Sequence, residues 1–347
     1  MNRNKKSTKW SNLLAVTVFA LTPVLLTALS EKENHKNENQ MNTTTTTQGV
    51  TKEDITFTRD GLKLAGHLFK PENFDPLLKY PALMVQGSVS SVKEMMPDNY
   101  ASLLAAEGFV VIDFDYATWG ESEGLPRQNE SVEGKLKDLQ AAVTYLESLN
   151  YTGDIGMVGV CTSGGNAAYL AVADDRVKAI AAVVPWMYEP ALAEPFWGKE
   201  TLETNRKRSV NAQQHFSVTG ANTTTQIFTN TPEVEGFNLT PGEYYFDEHR
   251  GGGIANWKNE VSWMSWIDWV EKFDPISQAP QIKVPTLVFS TDDALIPDQA
   301  RKFYDLLQVK EKELVWSTGY HFNFYDVQPE MAKAMNAVVP FMQKHLH

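Results

Sequence analysis

The residue best suited to chemistry is Cys161, the only cysteine in the chain. It follows a short apolar run at 154–160 and precedes an alanine-rich segment, a pattern that predicts a strand, a tight turn and a helix. Gly159 stands two residues before it and Ser163 two residues after, and a sharp strand-to-helix turn tolerates only small residues at those places. This spacing is that of a nucleophile elbow, so we predict that Cys161 is a nucleophile where serine is more usual.

The predicted helix after Cys161 would help a thiol to react. Its free N–H groups and the positive end of its dipole lie beside the sulfur, which favours the thiolate. The backbone N–H of Thr162 is then free to donate to an oxyanion.

Two other interpretations of this segment remain. A lone cysteine is often inert packing, because cysteine is among the most buried residue types. Alternatively, Ser163 is the nucleophile and Cys161 and Gly165 are its small neighbours, but Gly159 would then have no role inside the strand.

A cysteine nucleophile needs a base and a group that orients the base, and both are expected after later strands, acid before histidine. An apolar run at 286–289 is followed by Asp292 and Asp293, either of which could orient an imidazole. The next run, 313–316, leads to His321 in a loop. The predicted constellation is therefore Cys161, Asp292 or Asp293, and His321.

These residues require a scaffold of parallel strands. Alternation at 55–58 and 62–68 around Asp60-Gly61 predicts an antiparallel hairpin, in which His67 is structural. Continuous apolar runs then alternate with helical segments at 100–106, 136–149 and 300–307. Runs without alternation are typical of strands buried on both faces, so we predict a mostly parallel α/β sheet of about eight strands, with the site at the carboxyl ends. The runs are 82–85, 109–114, 155–160, 180–184, 286–289 and 314–316.

One stretch, about 186–276, lacks this rhythm but holds six of the nine tryptophans. Such a long interruption predicts a helical cap inserted over the sheet. Trp263, Trp266 and Trp269 recur every three residues and indicate one broad helical face, which either forms the core of the cap or lines an apolar substrate pocket. The pocket candidates in the cap are Trp186, Trp263 and Trp266.

The N-terminus predicts export. Residues 1–30 combine a basic start with an apolar run at 13–29 and a small-x-small ending, as in a signal peptide, although an uncleaved anchor is the alternative. Residues 31–49 are polar and predict a disordered tether, so the folded domain is expected at 50–347. We expect a periplasmic or secreted protein without a stable membrane insertion. A single cysteine in an exported protein is reactive but cannot form an internal disulfide, so its presence favours a chemical role for Cys161.

Composition excludes several classes of function. The net charge of −12 disfavours nucleic acid as a partner. The seven histidines are scattered and no second cysteine exists, so we predict no metal site and no cofactor.

The chain resembles the α/β-hydrolase superfamily, in particular its dienelactone-hydrolase-related branch, which includes uncharacterised bacterial proteins and fungal polyketide thiohydrolases or acyltransferases. The resemblance is carried by Gly159-x-Cys161-x-Ser163-Gly164-Gly165, Ser91-Val92-Lys93-Glu94, the stretch 114–122, and Gly319-Tyr320-His321 with Tyr325-Asp326.

The resemblance implies a Cys-Asp-His triad of Cys161, Asp293 and His321, with Asp293 favoured because it lies four residues before Pro297. The usual His-Gly before the oxyanion loop is Gln86-Gly87 here, and the implied second oxyanion donor is the N–H of Ser88. The stretch 115–122 is expected to be structural, although Trp119 could reach the site.

The expected activity is hydrolysis of an ester, lactone or thioester of a small molecule with an apolar acyl group, through an acyl-cysteine intermediate. A thiolate leaves a tetrahedral intermediate easily, which disfavours amide cleavage. The alternatives are acyl transfer by the same triad, and a catalytically silent protein that binds a small apolar ligand.

Overall fold

The computed structural model describes residues 44–47, 49–230, 236–239 and 243–347. The predicted signal segment, residues 1–30, and residues 31–43 of the predicted tether lie outside these ranges. Within the ranges, no helix combines the length and hydropathy needed to cross a bilayer.

Twelve strands are present in the described part of the chain. Their bounds are β1 Thr44–Thr47, β2 Val50–Arg59, β3 Leu62–Lys70, β4 Tyr80–Gln86, β5 Val110–Phe114, β6 Thr152–Val160, β7 Val177–Val183, β8 Thr224–Phe228, β9 Gly236–Leu239, β10 Val261–Ser262, β11 Thr286–Thr291 and β12 Lys312–Ser317.

Nine of these strands form one sheet in the order β1-β2-β3-β5-β4-β6-β7-β11-β12. The pairs from β5 to β12 along this order are parallel, and β1, β2 and β3 form an antiparallel edge. The predicted hairpin and the mostly parallel sheet are confirmed. β1 lies within the segment predicted to be a disordered tether. Threonine is β-branched and favours strands, so this polar run can pair with β2.

The described part of the chain contains seven α-helices, and five of them cover the two faces of the sheet. Side chains of α1 and α7 pack in one core cluster, and those of α2, α3 and α6 in the other. Strand β6 contributes Val158 and Val160 to the first cluster, and Ile155 and Met157 to the second, so both of its faces are buried. The bounds are α1 Met96–Ala106, α2 Val132–Ser148, α3 Thr162–Ala173, α4 Ala193–Trp197, α5 Lys199–Thr219, α6 Pro297–Leu306 and α7 Gln328–His345.

The insertion between β7 and β11 has more structure than the predicted helical cap. It contains α4, the long helix α5 and a separate three-stranded sheet in the order β10-β8-β9. Residues Ile267–Lys272 form a π-helix, a rare geometry that often marks a functional site. Short 3₁₀ turns lie at Pro190–Leu192, Glu243–Tyr245, Gly251–Gly253, Ile276–Gln281 and His321–Tyr325.

Candidate active site

Cys161 occupies the turn between β6 and α3. Its φ is +55° and its ψ −119°, a backbone conformation that a residue with a side chain adopts at a cost and that recurs at functional sites. A Cβ added at Gly159 would lie 2.0 Å from the carbonyl oxygen of Ser163, so only glycine fits there. The predicted strand, sharp turn and helix are thus present around this residue.

The structure separates the two candidate nucleophiles of the turn. Ser163 lies inside α3 and is fully buried, and its hydroxyl accepts a hydrogen bond from the Asn166 amide at 3.2 Å. Cys161, in contrast, is among the residues that line a cavity. Of the two, the geometry favours Cys161 as the residue that meets a ligand.

The cavity lies between the end of the sheet and the cap and has a volume of about 250 Å³. Most of its lining is aromatic or aliphatic, a surface suited to an apolar group of a small molecule. The residues that follow the strands of the main sheet are Val89, Cys161, Thr162, Trp186, Leu295, Phe322 and Tyr325, and those from the cap are Phe196, Trp197, Phe228, Leu239, Tyr245 and Trp269.

Trp186 is held at the cavity by the backbone after β7. Val184, a β-branched residue, has φ +36°, which is a strained conformation. The chain then turns back, and the N–H of Trp186 donates to the carbonyl oxygen of Cys161 at 2.9 Å. One of the predicted pocket tryptophans therefore lies directly beside the elbow.

The other three predicted pocket tryptophans are not among the residues that line the cavity. Trp119 packs in the core cluster on the other face of the sheet, where its indole donates to the carbonyl of Asn129 at 3.2 Å. Trp266 is fully buried inside the cap, with its ring 5.0 Å from that of Phe237, and Trp263 packs on the same phenylalanine at 6.0 Å. These rings form the core of the cap.

Trp197 and Trp269 line the cavity in their place. The π-helix widens the helical turn at Trp269, so a three-residue spacing did not identify which ring faces inward. The indole N–H groups of Trp186 and Trp269 are buried and have no hydrogen-bond partner among the described residues. A buried donor without an acceptor costs free energy, which an acceptor brought within its reach would recover. The indole N–H of Trp266, in the core of the cap, has no such partner either within the described residues.

His321 lies in the loop after β12, as predicted, and is fully buried. Its Nε2 is 2.9 Å from the hydroxyl of Tyr325, four residues later. No hydrogen bond joins the imidazole directly to Cys161 in the described part of the chain. Tyr325 lines the same cavity as Cys161, and its hydroxyl lowers the pKa of that thiol against the larger effect of burial. The sequence pattern assigned no role to Tyr325, although this residue lies only four positions after the predicted histidine.

The two candidate acids differ in their surroundings. The backbone N–H of His321 donates to the carbonyl oxygen of Asp293 at 3.3 Å, but the Asp293 side chain is exposed. Asp292 is also exposed, and its carboxylate pairs with Arg301 at 2.6 Å and with the Trp316 indole at 3.0 Å. Nδ1 of His321 has no hydrogen-bond partner within the described residues. Asp293 is therefore the better candidate. Its backbone contacts the histidine, and among the described residues its carboxylate is not paired with a neighbouring side chain.

The predicted oxyanion loop is tied to the start of α3. The N–H of Ser163 donates to the carbonyl of Gly87 at 3.2 Å, and the N–H of Val89 donates to the Thr162 hydroxyl at 3.1 Å. Ser88 lies between these two contacts and is buried, and its hydroxyl is hydrogen-bonded to Tyr245. The backbone N–H of Thr162 lowers the pKa of the Cys161 thiol, against the larger effect of burial.

Burial governs the electrostatics of the site. It raises the pKa of the Cys161 thiol, against the smaller effects of Tyr325 and Thr162. It lowers the pKa of His321 to about 3. At neutral pH these shifts favour a neutral thiol and a neutral imidazole.

A second cluster of ionisable groups lies away from the cavity. The Nδ1 atom of His67 is 3.0 Å from carboxylate oxygens of both Asp98 and Asp113, and Lys52 pairs with Asp98 at 2.5 Å. Burial alone would lower the pKa of His67, but its hydrogen bonds to the two carboxylates raise it to about 9. The Asp54 carboxylate also lies 3.8 Å from Nε2 of His67, so the cluster is a network of ion pairs, with which the structural role predicted for His67 is consistent.

Comparisons with known proteins show the same architecture. The thiohydrolase aneE of Aspergillus aculeatus is 38% identical over 130 residues, which cover 37% of this chain and 39% of the relative. The structure of the hypothetical protein PA2218 from Pseudomonas aeruginosa superposes with a TM-score of 0.72 and 21% identity, covering 86% of this chain and 95% of the other. Dienelactone hydrolase from Anabaena variabilis gives a TM-score of 0.51 with 12% identity, covering 86% and 100%.

The match to the curated relative spans well under half of its length, whereas the structural matches extend over most of both chains and show the fold. The sequence model described as alpha/beta hydrolase fold matches residues 84–327, which include the elbow, the cap and the loop of His321. The chain therefore belongs to the alpha/beta hydrolase fold family.

Proposed function

We propose that this protein is a hydrolase that cleaves an ester, lactone or thioester of a small molecule through an acyl intermediate on Cys161. The observation that carries the proposal is the position of this cysteine, which stands at positive φ between β6 and α3 on the wall of an apolar cavity. Family membership supports a hydrolase, and the similarity to a fungal thiohydrolase supports acyl chemistry of this kind.

The first step is attack of the Cys161 sulfur on the substrate carbonyl. Because burial keeps the thiol protonated, attack requires a base, and the neutral imidazole of His321 is available for this role. Asp293 would hold the proton on Nδ1 of His321 and stabilise the imidazolium that forms.

The developing oxyanion would accept hydrogen bonds from the N–H groups of Thr162 and Ser88. Such donors are typically worth about 3 kcal/mol each. The contacts that tie the loop of Gly87 and Val89 to α3 support this role, because they hold the two donor segments against each other before the substrate binds.

Collapse of the tetrahedral intermediate expels the alcohol or thiol and leaves a thioester on Cys161. Water activated by His321 then releases the acid. The aromatic lining supports an apolar or aromatic acyl group, because it offers apolar surface and few charged groups to the part of the substrate beyond the carbonyl.

Cys161 is the only cysteine, which makes a chemical test specific. The purified protein would be treated with iodoacetamide, one adduct confirmed by intact mass, and hydrolysis of p-nitrophenyl butyrate compared before and after. We expect loss of activity in step with alkylation, and no activity in Cys161→Ala. Activity that survives complete alkylation, or that persists in Cys161→Ala, would contradict the proposal. A silent ligand binder would show no turnover before treatment.

We also propose that residues 1–30 direct export, which the basic start and apolar run support. Expression of the full chain, fractionation and intact mass test this. A periplasmic or secreted form that has lost about 30 residues is expected for a cleaved signal. A full-length form in the membrane fraction would indicate an anchor, and a full-length cytosolic form would contradict export.

A further inference from the structure

Tyr325 occupies a position between the two groups that the proposed reaction must connect. It ends the short helix His321–Tyr325, is fully buried, and lines the cavity with Cys161. Its hydroxyl is 2.9 Å from Nε2 of His321, and it lowers the pKa of the Cys161 thiol. His321 itself is not among the lining residues and has no hydrogen bond to the sulfur within the described part of the chain, so of these two groups only the phenol shares the cavity with the thiol.

We propose that Tyr325 is a catalytic residue that relays the thiol proton of Cys161 to Nε2 of His321. The inference rests on the proposed function, since it names the path of the proton in that reaction. As the sulfur forms its bond to the carbonyl carbon, the S–H proton passes to the phenol oxygen and the phenol proton passes to Nε2. The carbonyl π electrons move to oxygen, and the products are a tetrahedral oxyanion that still carries the alkoxy or alkylthio leaving group, an unchanged phenol and an imidazolium.

The surroundings favour a relay in which both protons move together. The phenol is buried among the sulfur, Tyr244 and Tyr245, which raises the pKa of Tyr325 well above its ordinary value and disfavours a separate tyrosinate. The relay also needs Nε2 as an acceptor, and hence a neutral imidazole whose proton is on Nδ1. Asp293 would accept a hydrogen bond from that N–H.

The rings around Tyr325 fix its position. The ring of Tyr244 stands edge-on to it at 5.0 Å and that of Phe322 at 5.4 Å. The histidine and the phenol also belong to one short helical turn, and their rings are 5.4 Å apart. Rotation of the phenol away from the sulfur would disturb this packing. The arrangement therefore indicates that Tyr325 keeps one position and is not a side chain that moves to block the cavity.

The test compares Tyr325→Phe with the wild type by two readouts. Alkylation by iodoacetamide needs a thiolate but forms no oxyanion, so it isolates proton removal from the sulfur. We expect the alkylation rate at pH 7.5 to fall at least about 10-fold and its pH dependence to move to higher pH, and kcat/KM for p-nitrophenyl butyrate to fall by about 10²–10⁴. Tyr320→Phe is the matched control, because Tyr320 is half exposed in the same loop, and it should retain both rates.

The other outcomes overturn the relay. An unchanged alkylation rate with reduced ester hydrolysis would show that Tyr325 donates to the oxyanion. Unchanged or higher values of both rates would show that the phenol only blocks access to the thiol. Retained hydrolysis in Cys161→Ala would instead refute the proposed nucleophile, whatever Tyr325 does.

If Tyr325→Phe does not fold, the wild type still provides a test. The rate of acylation measured in mixtures of H₂O and D₂O should curve with the deuterium fraction, because two protons move together. A linear dependence would contradict the relay.

Discussion

The backbone N–H of His321 donates to the carbonyl oxygen of Asp293 at 3.3 Å, which brings together the loops that follow β11 and β12. The side chains do not share this contact, since the carboxylate is exposed and Nδ1 of the histidine has no partner among the described residues. The backbone thus places Asp293 against the loop of His321, which makes it the candidate for the acid of the proposed triad.

Asp293→Asn is expected to lower kcat by at least about 100-fold, because the amide cannot stabilise the imidazolium and can favour the wrong tautomer. Hydrolysis of p-nitrophenyl butyrate measures the effect. Asp292→Asn is the matched control, because that carboxylate already pairs with Arg301 and Trp316. Equal activity in both variants and the wild type would remove the acid from the mechanism, and a loss confined to Asp292→Asn would move the role to that residue.

Ser163→Ala is expected to keep hydrolysis within about threefold of the wild type. The hydroxyl lies inside α3 and pairs with Asn166 at 3.2 Å and Tyr116 at 3.5 Å, so its loss removes two hydrogen bonds, each worth about 1 kcal/mol of stability, and no reacting atom. Urea unfolding and ester hydrolysis would be measured together. A loss of activity beyond 100-fold in a folded variant would identify Ser163 as the nucleophile.

The elbow could be predicted because its constraints are local. The close approach of Ser163 to Gly159 and the turn at Cys161 involve neighbours in sequence, and each restricts the residue types that fit. The strands of the parallel sheet were predicted for a similar reason, since burial on both faces leaves continuous apolar runs.

The cap could not be predicted in the same way. The inner side of α5 buries Asn205, Ser209 and Ala212, so the helix has no apolar period to detect. Which tryptophans line the cavity depends on the π-helix and on contacts between distant segments, such as the donation from the Trp197 indole to the carbonyl of Phe237 at 2.9 Å. The role inferred for Tyr325 likewise depends on the position of the cavity.

Trp186→Phe and Trp269→Phe should change the preference between acyl groups. Each variant keeps an aromatic ring but removes an indole N–H that has no partner in the described residues. We expect the wild type to favour a p-nitrophenyl ester of 3-methoxypropionate over the butyrate, since an ether oxygen can accept from these donors, and each variant to lose this preference by about 5- to 10-fold.

Trp197→Phe is the control for this experiment, because the Trp197 indole already donates to a backbone carbonyl although its ring lines the same cavity. The ratio of kcat/KM for the two esters is the measured quantity. An equal change of the ratio in all three variants would show that ring size, and not the free donor, sets the preference.

The pH dependence of activity should reflect the burial of His321. The base must be neutral to accept a proton, and burial lowers its pKa from about 6.5 to about 3, so the neutral form persists well below pH 6. We therefore expect kcat/KM to stay within about twofold between pH 8 and pH 5, instead of falling with the ordinary pKa of histidine. At His321 the folded state also binds fewer protons than the unfolded state between pH 6.5 and pH 3, so the contribution of this group destabilises the fold as the pH is lowered, by about 2 kcal/mol at pH 5. The pKa of Asp113, which burial raises, acts in the opposite direction. Circular dichroism at each pH would show that the protein assayed is folded, and a decline of kcat/KM centred near pH 6.5 in folded protein would show that the imidazole is accessible to water during the reaction.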